Sequence, residues 1–133
     1  MKKDIENRAD IELLVNTFYE KVKADKQLGF IFEEIAQINW SAHLPAMCNF
    51  WENILFYTGS YTGNPMNLHK HLDQITRLND ANFDQWNKLF LGTVNELFEG
   101  EKAEMAGSRA ISISKIIKQK LSDHRKGDTA SDL

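Results

Sequence analysis

"ADIELLVNTFYEKVKAD", residues 9–25, decides the fold class. Ile11, Leu14, Val15, Phe18 and Val22 recur at intervals of three and four residues, which places them on one stripe of an α-helix. Tyr19 follows Val15 by four residues and precedes Val22 by three, so its ring faces the same core. A phenol in that position needs a hydrogen-bond partner, most simply a backbone carbonyl.

The same period continues outward. Gly29 is expected to interrupt it, with "FIFEEI" (30–35) forming a short helical turn. In residues 39–57, Trp40, Leu44, Met47, Trp51, Ile54 and Leu55 form a broad apolar stripe. Pro45 lacks a backbone donor, so this helix should start close to Ser41 or be kinked in its first turn. "TGSYTGN" is loop; Pro65 suits a first helical position with Asn64 as its cap, and a short helix should run to about Ile75. Asn79 or Asp80 can cap the next helix, which turns Phe83, Trp86, Phe90, Val94 and Leu97 inward. After Gly100 a last helix uses Ala106, Ala110, Ile113, Ile117 and Leu121. Alternating β-branched runs are absent, and only two prolines and seven glycines punctuate the chain. The expected architecture is all-α, with residues 1–125 as one domain and 126–133 as a polar, disordered tail.

Composition narrows the function. A chain of 133 residues buries a core without disulfide or metal, and one cysteine, Cys48, excludes an internal disulfide and a cysteine-based zinc finger. A net charge of −3 argues against general nucleic-acid binding, which needs excess Lys and Arg. No apolar run approaches the roughly 18–20 residues of a membrane span, and "MKKDIENRAD" has no apolar leader segment. A cytoplasmic protein is expected. There is no phosphate loop, dinucleotide fingerprint or nucleophile motif.

Five side chains carry possible chemistry. His43 lies four, seven and eleven residues before Met47, Phe50 and Ile54, on an apolar face. Tyr19 and Trp86 point polar tips inward from two other helices. Each alone reads as a satisfied core residue; together, among Phe18, Phe32, Phe50, Trp51 and Phe90, they suggest a pocket for a flat apolar ligand with a polar reactive point. His69 and His71 share the short helix, His69 on a face with Met66 and Leu72 and His71 on one with Leu68 and Ile75. Periodicity does not choose between them.

The order "FYEKVKADKQLGFIF" (18–32), "HLPAMCNFW" (43–51), "YTGNPMNLH" (61–69) and "NFDQWNKLF" (82–90) resembles the third group of the truncated haemoglobins, over about residues 10 to 122. The resemblance implies a two-over-two helical sandwich around a haem, iron protoporphyrin IX. It implies Tyr19 as the distal tyrosine with Phe18 beside it, Phe32 as the haem wedge and His43 as the distal gate. Phe50 and Trp51 become the aromatic pair beyond the gate, and Trp86 a ligand-facing tryptophan. Met47, Met66, Leu72 and Phe90 would line the cofactor. His69, four residues after Pro65, would be the axial ligand, with His71, nearer to Trp86 along the chain, as the alternative. The function implied is tight binding of O2, and of diatomics such as NO and CO, for scavenging or for redox chemistry of NO-dioxygenase or peroxidase type with an external reductant. The contrasting expectation is a small all-α interaction module without cofactor.

Overall fold

The computed structural model describes residues 2–35, 39–57 and 79–131, with the backbone alone at 34–35, 120–121 and 123–131. Every regular element among them is helical: α1 (Arg8–Ala24), α2 (Lys26–Phe30), a π-helical turn (Ile31–Ile35), α3 (Trp40–Phe56), α4 (Asp80–Leu97) and α5 (Glu101–Ser131). The helix expected over 65–75 lies outside the described residues, as do His69, His71, Met66 and Leu72.

α1 starts where Asn7 accepts from the Asp10 N–H at 3.0 Å, a side-chain cap for an otherwise unpaired donor. Its expected stripe is its buried face: Ile11, Leu14, Val15, Phe18 and Val22 are buried, with Tyr19 beside them. Asp25 ends α1 and caps α2, accepting from the N–H groups of Gln27 and Leu28. Gly29 does not interrupt the helical backbone; it sits inside α2. A Cβ there would lie 2.4 Å from the Lys23 carbonyl oxygen, so the glycine serves the close passage of α2 across the end of α1.

α3 begins one residue before Ser41 and keeps Pro45 inside it. α4 opens with a reciprocal cap between Asn79 and Asn82 and buries Phe83, Phe90 and Val94, with Trp86 and Leu97 partly covered. Ala103, Ala106, Ala110 and Ser114 form the buried strip of α5. The helix continues through Ser131, so the disordered tail expected over 126–133 is helical backbone as far as 131.

Packing follows two pairs. α1 lies against α3, α4 lies against α5, and α1 joins the pairs by packing on α4. The core between them is continuous from Ile5 to Ala110. Among the described residues no helix is long and apolar enough to cross a membrane.

Candidate functional site: an aromatic cluster between α1, α3 and α4

Phe18, fully buried on α1, organises the site. Its ring meets Tyr19, Trp86 and Phe90 edge-on, at centroid distances of 4.8, 5.1 and 5.1 Å. Trp86 stacks on Phe90 at 5.7 Å and 3°. Phe90 in turn stacks on Trp51 at 4.9 Å, and Trp51 meets Phe50 edge-on at 5.2 Å. Residues from three helices thus form one continuous aromatic wall. The α-helical repeat explains why: Trp86 and Phe90 are four residues apart, and neighbours at that spacing overlie each other.

The polar edge of the wall is built from α1 and α3. The Tyr19 hydroxyl oxygen lies 3.1 Å from His43 Nε2, and their rings are nearly perpendicular at 5.1 Å. Burial holds the Tyr19 phenol well above its ordinary titration range, with the nearby Cys48 thiol adding to the effect. Tyr19 is therefore a neutral O–H donor at any physiological pH. It has one proton to give. If His43 Nε2 is bare, the phenol donates to it; if Nε2 carries the proton, the imidazole donates to the phenol oxygen and the O–H is free for another acceptor. The partner expected for Tyr19 was a backbone carbonyl; it is His43. Cys48 is buried and free, and burial raises its thiol.

Trp86 joins this edge through Phe18 rather than by touching Tyr19. It is partly covered, and no described residue accepts from its indole N–H. Phe32 reaches the cluster through Trp40, at 6.5 Å, and Met47 packs on the core from α3. Two residues absent from the expected set belong here. Trp40 meets Tyr19 at 5.5 Å and His43 at 5.9 Å, and Lys23 Nζ sits 4.7 Å above the Trp40 ring. Trp40 was visible as a member of the α3 stripe, three residues before His43. Lys23 carried no signal beyond its place in the last turn of α1.

Two helix pairs, α1 on α3 and α4 on α5, with an aromatic wall running between them and a phenol–imidazole contact at its margin, define the class as an all-α helical sandwich. No family model matches the chain. It is 35% identical over 113 residues to the group 3 truncated hemoglobin ctb of Campylobacter jejuni, a match spanning 83% of this chain and 87% of that protein. The crystal structure of the group III truncated hemoglobin from Campylobacter jejuni superposes with a TM-score of 0.77 at 33% identity, covering 91% of this chain and 95% of that one. The chain belongs to the group 3 truncated haemoglobins, and family membership brings a globin-type haem-binding role.

Proposed function

We propose that the chain binds haem b through His69 and holds O2, and related diatomics such as NO and CO, tightly in the pocket edged by Tyr19, His43 and Trp86. The observation that carries the reading is the Tyr19–His43 contact on the aromatic wall, in a chain of this family. The residues fit the group. Phe18, Phe32, Met47, Phe50, Trp51 and Phe90 have the apolar, aromatic character a porphyrin needs around it, and the family resemblance adds Met66 and Leu72 to them. His69, with His71 as the alternative, offers the neutral imidazole an iron needs. Haem, when bound, supplies the iron that takes the diatomic ligand.

The protein's own part is polarity and access. O2 held at such an iron would carry partial negative charge, and the Tyr19 O–H and Trp86 N–H would be the donors to it. Hydrogen bonds to charged groups contribute about 1.5–3 kcal/mol each, so two of them retard release by roughly 10² to 10⁴. A chain that releases O2 slowly suits scavenging or redox chemistry better than delivery, with electrons from an external reductant in the cytoplasm. His43 sits where it can orient the Tyr19 proton, and it stands at the pocket edge as a gate. Titrating haem into the purified chain tests the reading. A Soret band saturating at one haem per chain is expected, and a chain that stays colourless refutes it.

A further inference from the structure

We propose that Trp40 is a positioning residue for this pocket: its indole, pinned by the Lys23 ammonium, holds the His43 imidazole against Tyr19 and so keeps the ligand entrance closed. This rests on the haem-pocket reading above. Trp40 is the first residue of α3, and the backbone there is lightly tied. The N–H groups of Ala42 and His43 both bond to one acceptor, the Asn39 carbonyl, at 3.1 and 2.8 Å. Pro45 has no N–H to return to the Ser41 carbonyl, so one of the helical bonds tying this turn to the next is missing. The Asn39 side chain does not cap the helix; it takes the Ser41 hydroxyl instead, at 2.8 Å.

Ring contacts supply what the backbone lacks. The His43 imidazole has a perpendicular ring on two sides, Tyr19 at 5.1 Å and Trp40 at 5.9 Å, each at 83°. Trp40 is itself fixed from α1, edge-on to Tyr19 at 5.5 Å and under Lys23 Nζ at 4.7 Å. An ammonium within about 6 Å of an indole centroid is attracted to its face. Lys23 also pairs with the exposed Glu20, one turn back on α1, at 3.5 Å. Moving His43 aside, by rotating its side chain or rolling the first turn of α3 outward, breaks the Trp40 contact. The turn and its latch are one device.

The test uses the full chain, haem-loaded and haem-free. CO association by stopped flow is compared in wild type, Trp40→Ala, Trp40→Phe and Lys23→Met. Lys23→Met keeps the stem and removes the charge. It should speed CO entry about 2- to 5-fold, the factor matching an exposed cation–π contact. Trp40→Ala should speed it further, to the level of His43→Leu, and Trp40→Phe should restore a rate close to wild type. In the haem-free chain, Trp40→Ala should accelerate hydrogen exchange at the Ala42 and His43 amides while the later turns of α3 stay protected. An unchanged CO rate in Trp40→Ala overturns the proposal, as does exchange accelerated evenly along α3, which marks a merely structural role. If wild type takes up no haem, the pocket reading fails, and the amide pattern alone decides the latch.

Discussion

Asp4 and Tyr19 are both polar tips set against the core, and the chain treats them differently. Asp4 lies where the N-terminal segment crosses the start of α5. Its carboxylate accepts from the N–H groups of Ile5, Lys102 and Ala103, each at 2.8 Å. Beside it, the Lys3 carbonyl takes the Glu99 N–H, and Lys102 Nζ donates to the Leu55 carbonyl at the end of α3. Gly100, at φ 145°, makes room: a Cβ there would fall 2.6 Å from the Asp4 carboxyl carbon. Tyr19, at the other end of α1, shares one contact with His43, and Trp86 nearby donates to no described residue. Polar groups committed on every side hold a structure together. A phenol whose only described partner is a tautomer-dependent imidazole, beside an indole N–H that donates to no described residue, is placed for something that arrives.

The largest expected effect tests the proposed axial ligand, His69, which lies outside the described residues. His69→Ala should abolish five-coordinate ferrous haem, and His71→Ala should leave it nearly intact; absorption spectra of the two reduced variants read the difference directly. The reverse pattern would exchange their roles without touching the contrast between the two ends. Next come the donors. Tyr19→Phe and Trp86→Phe should each speed O2 dissociation by about 10-fold or more, the equivalent of one charge-assisted bond, with little change in unfolding free energy. Unchanged rates in both variants would remove the donor argument.

At the committed end the pattern inverts. Asp4→Ala removes the cap of α5 and should cost about 1–2 kcal/mol of stability, with O2 dissociation unaffected. Burial pushes the Asp4 carboxyl upward, but three backbone N–H bonds and the Lys102 charge outweigh it and hold the group below its ordinary value. Its contribution is thus full above the unfolded value of about 3.9 and is lost as pH falls through the lower folded value. Asp10 adds to the same acid sensitivity. Burial raises it, while its bonds from Lys3 and from the Glu6 N–H lower it further. Urea titrations of wild type and Asp4→Ala should differ clearly at pH 7, and the difference should shrink as pH falls below the unfolded value of about 3.9.

The two ends were not equally legible in the sequence. Hydrophobic period placed α1, α3 and α4 because each buries one stripe, and it put Tyr19, His43 and Trp86 on inward faces. Period could not say which inward residues meet. The His43–Tyr19 contact depends on how α3 crosses α1, and Trp40 entered the site through that crossing rather than through any motif. Gly29 read as a break because a glycine's lack of side chain signals both loops and close helix crossings. The Asp4 clasp was invisible for a different reason. It joins residues 4 and 103, and no local pattern marks an aspartate as the cap of a helix so far along the chain.

Asn87 is the place where the contrast is most finely balanced. It follows Trp86 on α4 but turns toward α5, where Nδ2 donates to the Ser114 hydroxyl at 2.9 Å. That hydroxyl has its own proton on the Ile111 carbonyl, also at 2.9 Å, so it can only accept from Asn87, and the amide orientation is fixed. Oδ1 is then left buried without a partner among the described residues. An unmet buried acceptor costs about 1–3 kcal/mol, while the neutral bond on the other side of the amide returns about 1 kcal/mol. Asn87→Leu keeps a similar volume, removes both and leaves Ser114 bonded to Ile111. Its unfolding free energy, measured by urea titration, should therefore stay within about 1 kcal/mol of wild type or rise above it. A loss well beyond 2 kcal/mol would mean that Oδ1 has a donor in solution, and α4 would then be committed on its α5 side as fully as the chain is at Asp4.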